Sequence, residues 1–226
     1  MDYQKANRLL KSSFDNGSPT SFRRHNTILQ DFKISQFAYL IEDGYVKIIS
    51  YSESGEEIIH YVYGKGEIFP LGQLFLAHPI GDYFIALTDV TVRTKPIEEF
   101  KAFLDDNPTA IMPLMHQQTK LFDRIVNLNM GESKQRIAYR LIKLAERFGT
   151  DEGSYSRLDM KITIQELASM VRLSRETTGK VIKQLENKGY LVFGRQHIII
   201  HVDMLKELLD TQRSSKQPPE NATKKP

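Results

Sequence analysis

Thr163-Ile164-Gln165-Glu166-Leu167-Ala168, followed by Leu173-Ser174-Arg175-Glu176-Thr177-Thr178-Gly179-Lys180, is the stretch on which the fold turns. Thr163 to Glu166 has the form of a capping box: the threonine hydroxyl can accept from the Glu166 N–H while the glutamate side chain reaches back to the Thr163 N–H. A short helix therefore starts here, with Leu167, Ala168, Met170 and Val171 inward, and Ala168 is small enough to let a second helix cross closely. Arg172-Leu173 leaves room for a brief turn. Ser174 then caps a helix that runs to about Lys188 with Val181, Ile182 and Leu185 inward. This is helix-turn-helix spacing. Behind it, Tyr190 to Phe193, the turn Gly194-Arg195-Gln196-His197, and Ile198 to Val202 read as a β-hairpin, a wing.

The outward residues of the second helix carry the chemistry. Arg175, Glu176, Thr178, Lys180 and Lys183 lie in its first three turns, the part that a recognition helix places in the major groove. Arg175 can offer guanine O6 and N7 a bidentate fork, and Glu176 can accept from cytosine N4. Ser174, Thr178 and Lys183 are suited to phosphate, which orients a protein on DNA and makes affinity fall with salt. The plainer alternative is that Glu176 only complements the helix dipole and the cations are solvated.

Charge along the chain agrees with a nucleic-acid partner at the C-terminal end. Residues 1–131 carry 13 Lys and Arg against 16 Asp and Glu, a net of −3, whereas residues 132–226 carry 18 against 12, a net of +6. A basic module is joined to an acidic one with another task. At 226 residues, 40% hydrophobic and 26% charged, the chain has room for two modest domains and enough apolar content for a core. The absence of cysteine removes disulfides, thiolate nucleophiles, cysteine-ligated clusters and Cys-type zinc sites. No run approaches the roughly 20 apolar residues of a membrane span, and the polar start is not a signal peptide, so a cytoplasmic protein with no membrane partner is expected.

Toward the N-terminus, Asp2 to Phe14 reads as an amphipathic helix with Ala6, Leu9, Leu10 and Phe14 at helical spacing, ended by Asn16-Gly17-Ser18-Pro19. Short β-rich runs follow at Thr27–Phe32, Phe37–Ile41, Tyr45–Tyr51, Glu57–Tyr63, Tyr83–Thr88 and Val90–Lys95. Asp43-Gly44 and Ser54-Gly55 are hairpin turns, and such even spacing implies an antiparallel barrel, roll or sandwich. Helical periodicity returns with Glu98–Leu104, and Asn107-Pro108 starts a longer helix to about Met130. In that helix Ile111, Leu114, Gln118, Leu121, Ile125 and Leu128 alternate steps of three and four, an a/d seam that would make a dimer interface. The same stripe could instead pack on the β domain. Pro113 must lie in the first turn or kink the helix. Gly131 precedes a helix over Glu132–Phe148, with Ile137, Leu141, Leu144 and Phe148 inward and Gly149 expected as a left-handed cap. Asp151–Ser156 reads as a polar loop, and Thr211–Pro226 as a disordered tail.

The quoted helix-turn-helix residues resemble the DNA-binding signature of the bacterial cyclic-AMP receptor protein and fumarate-nitrate reduction regulator (Crp/Fnr) family. Gln135-Arg136-Ile137-Ala138 and the Tyr39-Leu40-Ile41-Glu42-Asp43-Gly44-Tyr45-Val46-Lys47 hairpin are similar to that family too. The resemblance implies an α+β chain. An N-terminal antiparallel β-roll of the cyclic-nucleotide-binding type, with its leading helix, occupies 1–97; connecting and dimerisation helices occupy 98–131; a winged helix-turn-helix occupies 132–210; and a tail occupies 211–226. It also implies base contacts by Arg175, Glu176 and Lys180, although Lys180 stands where Arg is commoner and offers a point charge rather than a planar fork. Arg172 stands where the turn often has glycine.

The family's ligand chemistry is missing from the roll. Cyclic-nucleotide-binding members hold the ribose with a Gly-Glu pair and the phosphate with an Arg-Ser or Arg-Thr pair. Here the corresponding stretches read Gly66-Glu67-Ile68-Phe69-Pro70-Leu71-Gly72-Gln73 and Pro79-Ile80-Gly81-Asp82-Tyr83. Gly66 to Val92 contains Glu67, Asp82 and Asp89 but no Lys or Arg, so desolvating a phosphate there would be costly. Cyclic AMP of the usual kind is not expected, and no cofactor is implied. Phe69, Leu71, Leu74, Phe75, Leu76, Tyr83 and Phe84 could line a pocket for an uncharged effector or simply form core. His25, His60, His78 and His116 are scattered, which argues against a haem ligand or a metal site.

The reading is a non-enzymatic, sequence-specific DNA-binding transcription regulator. It would bind double-stranded DNA as a homodimer on a pseudo-palindrome, with an unknown effector and with RNA polymerase as a further partner if it activates. Gly131 would be the hinge between dimer helix and DNA-binding part. Two other classes stay open: a cupin-like metalloenzyme using the winged helix for assembly, for which no His-x-His with a later Glu is present, and a module whose winged helix binds protein.

Overall fold

A computed structural model describes residues 2–30, 35–72, 81–128 and 131–214, with the side chains of 120–128 and 211–214 excepted. The chain divides into two compact units, Met1–Asn129 and Met130–Pro226.

The first unit opens with helix α1 (Tyr3–Ser12), capped by Asp2, whose carboxylate accepts from the Gln4 N–H at 2.9 Å. Ala6, Leu10 and Phe14 are buried, whereas Leu9, expected inward, is 37% exposed. Among the described residues, eight strands then form two antiparallel sheets. One has the order β1 (Pro19–Phe22), β8 (Val90–Pro96), β3 (Phe37–Asp43), β6 (Ile68–Phe69). The other has the order β2 (Thr27–Gln30), β7 (Tyr83–Ala86), β4 (Val46–Tyr51), β5 (Glu57–Tyr63). Strands β1 and β6 have no counterpart in the sequence reading, because β1 has no apolar alternation and β6 is two residues long.

Because successive side chains on a strand face opposite ways, neighbouring residues of β3 and β6 enter different cores. Ile41 and Phe69 join Val46, Ile48, Tyr61, Tyr63, Phe84, Ala86, Val90 and Val92 inside the roll. Leu40 and Ile68 join Leu10, Phe14, Phe100, Leu104 and Ala110 outside it, under α1 and helix α2 (Ile97–Asp106). The inner core is aromatic. Phe69 lies parallel to Phe84 at 5.2 Å and to Tyr39 at 5.0 Å, and Tyr61 meets Tyr63 edge-on at 4.6 Å, the offset and T-shaped geometries that ring quadrupoles favour. Phe69, Leu71 and Phe84 are therefore core side chains, while Leu74, Phe75, Leu76 and His78 lie outside the described residues.

A 3₁₀ turn (Pro108–Ala110) leads into helix α3 (Ile111–Leu128), with Pro113 in its first turn. The seam expectation needs correction at its first two positions, Ile111 and Leu114. Leu114 is 1% exposed and belongs to the outer core of its own unit, and Ile111 packs against the same cluster. The apolar surface of α1 and α2 reaches these positions, so Leu114 is not free for a partner. Met112 and Met115, one step along the helix, are exposed at 48% and 55%. Gln118 is half-buried, and the side chains of Leu121, Ile125 and Leu128 lie outside the described residues. Gln117 ties α3 to β6, donating to the Ile68 carbonyl at 2.7 Å and accepting from the Ile68 N–H at 3.1 Å.

The second unit begins with helix α4 (Ser133–Phe148), entered through a capping box in which the Glu132 N–H donates to Gln135 Oε1 at 2.8 Å. Gly149 is not a left-handed cap; its φ of −79° is extended. It is glycine for want of space, since a Cβ would stand 2.0 Å from Ser156 Oγ and 2.6 Å from the Ala145 carbonyl oxygen. The expected polar loop is a hairpin of β9 (Thr150–Asp151) and β10 (Ser156–Leu158), which extends the wing into a sheet of order β11 (Leu191–Phe193), β12 (Ile198–Ile200), β10, β9. Helix α4 packs on β10 and β12; α5 (Ile164–Val171) packs against α4 and α6 (Arg175–Asn187), α6 packs on β11, and α7 (Val202–Ser214) packs along α4. Helix α7 is absent from the sequence reading, and it claims Thr211–Ser214 from the expected disordered tail; residues 215–226 lie outside the described residues.

Candidate nucleic-acid interface

The capping box at Thr163 is formed: Thr163 Oγ1 accepts from the Glu166 N–H at 3.1 Å, and Glu166 Oε2 accepts from the Thr163 N–H at 2.8 Å. Leu167, Ala168, Met170 and Val171 are fully buried. The chain leaves α5 through Arg172 in the left-handed region, at φ 53° and ψ 50°. That geometry explains why glycine suits this turn: an L-residue is strained there by about 1 kcal/mol or more. Ser174 then caps α6, its Oγ accepting from the Thr177 N–H at 3.1 Å and donating to Thr177 Oγ1 at 2.9 Å.

Helix α6 has two clearly different faces. Thr178, Ile182 and Leu185 are at most 3% exposed. Glu176, Lys180 and Lys183, spaced by four and three, lie on the opposite face, and Arg175 flanks them; all four are exposed. Val181 is half-buried rather than fully inward. Thr178 leaves the set of phosphate contacts. It is wholly buried and its hydroxyl donates to the Ser174 carbonyl at 2.9 Å, the back-bonding by which a helical threonine satisfies itself. Ser174 remains at the surface.

Glu176 and Lys180 are paired, Oε1 to Nζ, at 2.6 Å, with 76% and 71% of their side chains exposed. An exposed i,i+4 pair is worth roughly 0.3–0.5 kcal/mol. Either partner can therefore exchange the other for a base edge at little cost. Glu186 on the same helix accepts from the Phe193 N–H at 2.8 Å and so fixes the wing to α6. The wing presents Val192, 55% exposed, with Arg195 and Gln196 at its turn.

Two cations of α4, Arg136 half-buried and Arg140 buried, have contacts that the sequence did not indicate. Arg140 Nη2 donates to the Met170 carbonyl at 2.9 Å. Arg136 Nη2 donates to the Val171 carbonyl and, at 3.1 Å, to that of Arg172. Their i,i+4 spacing was the available clue, but nothing local pointed to the carbonyls they serve. Gly131, the expected hinge, has φ 96°, a value that favours glycine, and a Cβ would press on the Gln135 side chain. Among the described residues no group of three or more His, Cys, Asp or Glu could hold a metal ion. Among them, too, no helix is long and apolar enough to cross a membrane.

Comparisons with known proteins agree with this architecture. Residues 135–208 match the Crp-like helix-turn-helix domain and residues 19–107 the cyclic nucleotide-binding domain, together most of the chain. The chain is 25% identical over 186 residues to a protein of Mycobacterium tuberculosis named a CRP-like cAMP-activated global transcriptional regulator, covering 80% of this chain and 83% of that one. It is 28% identical over 166 residues to the HTH-type transcriptional regulator ArcR of Staphylococcus aureus, covering 70% and 68%. Among solved structures it is similar to a CRP/FNR-family transcriptional regulator of Thermus thermophilus, with a TM-score of 0.67, 26% identity, and coverage of 85% of this chain and 98% of that one. The open, charged face of α6, the wing fixed to it and the two domain matches lead to one conclusion: the chain belongs to the Crp/Fnr family of helix-turn-helix transcription regulators.

Proposed function

We propose that this regulator binds a pseudo-palindromic operator as a homodimer, reading bases with Arg175, Glu176 and Lys180 and holding phosphates with Ser174 and Lys183. The observation that carries this reading is the α6 face itself, where these side chains stand exposed opposite a fully buried face. Two-fold symmetry would set the recognition helices roughly 34 Å apart. The dimer interface is taken along α3 at the seam positions Gln118, Leu121, Ile125 and Leu128 together with the exposed Met112 and Met115, and Gly131 is the hinge beyond that helix. No enzymatic activity is assigned, the cytoplasm is the compartment, and RNA polymerase is a partner if the regulator activates.

Cyclic AMP is not the effector in this reading. The supporting facts are the stretch Gly66–Val92 without Lys or Arg and the stacked aromatics at Phe69 and Phe84. Selection of bound fragments from random duplex tests the reading. A two-fold-symmetric sequence should emerge, with binding unchanged by millimolar cyclic AMP. Equal affinity for all duplexes would overturn operator reading, and a cyclic-AMP-dependent rise in affinity would overturn the statement about the effector.

A further inference from the structure

Helix α5 ends in three carbonyls, those of Met170, Val171 and Arg172, each of which accepts from a guanidinium of α4. Such carbonyls have no partner within their own helix and carry the negative end of its dipole. Arg136 and Arg140 are one helical turn apart and so share the α4 face turned to them. Arg140 is 2% exposed, beside Ile137, Leu141 and Leu144 of the apolar core. Burial pushes its guanidinium down to about 10, which leaves it charged at neutral pH. The Nε atoms of both arginines are buried without a hydrogen-bond partner. Burying a charge at this depth is costly, and among the described residues only the carbonyl contact offsets that cost.

The turn these cations hold is also the one that lacks glycine. Arg172 occupies the left-handed region, and the Leu173 N–H reaches back to the Ala168 carbonyl at 3.1 Å. Two residues after Arg172, Ser174 starts α6, so the dihedral angles of Arg172 and Leu173 set the direction of the recognition helix. We infer that Arg136 and Arg140 are positioning residues for DNA binding: they clamp the C-terminal carbonyls of α5 and thereby hold the helix-turn-helix turn in the geometry that aims α6, without touching DNA. This rests on the proposal that α6 is the DNA reader. A site aimed by a supported turn loses function when the support goes, even if the fold remains.

The test uses the full-length protein, the selected duplex, thermal unfolding and amide hydrogen exchange. Arg140→Met removes a buried charge without leaving a large cavity but leaves the Met170 carbonyl unpaired, so its Tm should fall by only a few degrees and the protein should stay folded. Its duplex affinity should fall about tenfold, and exchange at Leu173 and Thr177 should accelerate while strands β10 and β12 keep their protection. Arg140→Lys should recover part of the affinity. Adding Arg172→Gly to Arg140→Met should recover most of it, because glycine adopts the turn unaided. Duplex affinity within twofold and unchanged exchange at the turn would overturn the clamp, as would exchange that rises evenly across the unit. Should Arg140→Met fail to fold, Arg136→Gln at the half-buried end of the clamp decides by the same readouts. If the unsubstituted protein shows no sequence preference, the reading of α6 fails, and the exchange data still decide whether the clamp exists.

Discussion

The roll and the DNA-binding unit bury their charges for different ends. In the roll, Lys47 is 4% exposed and pairs with Glu57 at 2.7 Å, while the interior beside it is aromatic and packed. In the DNA-binding unit, Arg140 is equally buried but faces main-chain carbonyls, and exposed charges gather on one face of α6. The first arrangement neutralises a cation within a sheet and offers no free charge to an anionic ligand. The second sets a cation against the carbonyls of a turn and leaves charges open on α6. Within one chain, the domain that matches a cyclic nucleotide-binding module has a stretch, Gly66–Val92, without Lys or Arg, and the domain that matches a helix-turn-helix carries the charged face.

The largest effect separating the two regions should come from the aromatic core. Phe69→Ala should destabilise the first unit by about 3–5 kcal/mol, measured by denaturant unfolding, with protection of the second unit's amides unaltered. A loss below about 1.5 kcal/mol would mean that the rings around Phe69 enclose space rather than fill it. On the other side, Arg175→Ala should cost about 1–3 kcal/mol of operator affinity and relax the preference at one base pair, whereas Lys183→Ala should weaken all duplexes alike and lower the salt slope by about 1. Unchanged selectivity in Arg175→Ala would remove it from the base readers.

Smaller changes sharpen the picture of the turn. Arg172→Gly alone should raise the stability of the DNA-binding unit by about 0.5–1 kcal/mol, the relief of a left-handed L-residue less the extra freedom of unfolded glycine; a fall in Tm would show that the arginine side chain contributes more than its backbone costs. The smallest effect concerns Glu146. Burial opposes its ionisation, but hydrogen bonds and charges from Lys143 and Lys206 outweigh that and hold the carboxylate below its ordinary value. A lowered folded-state value means stability that is complete above the ordinary carboxylate range, about pH 4.5, and is lost as pH falls through the lowered value. Glu146→Gln should flatten this acid limb of the unit's unfolding curve slightly, and an unaltered limb would detach the carboxylate from the docking of α7.

What could be read in the residues alone was whatever nearest neighbours decide. The Thr163–Glu166 box, the Ser174 cap, the β-rich run Glu57–Tyr63 and the charged positions of α6 all rest on residues near one another in the chain, and the structure forms each of them. The Crp/Fnr signature is a string of such local devices. Strands β1, β6 and β9 escaped because two to four residues carry too little pattern, and α7 because its outward and inward residues sort only against α4.

Tertiary structure alone decided which side of an element faces what. The seam over Ile111, Leu114 and Gln118 is a sound helical stripe, yet α1 and α2 cover its first two members and leave Met112 and Met115 outside. Thr178 stands among DNA-suited residues, yet the packing of α5 and α6 buries it. Gly149 looks like a left-handed cap and is instead a gap filled by Ser156, and Arg140 looks like one more surface cation and is, among the described residues, the deepest charge in its unit. In each case local periodicity specifies a face, while the partner that covers it is supplied by another element of the chain, as Met170 is for Arg140 and Ser156 for Gly149. Burial is a property of that pairing, and a single helix or strand does not contain it.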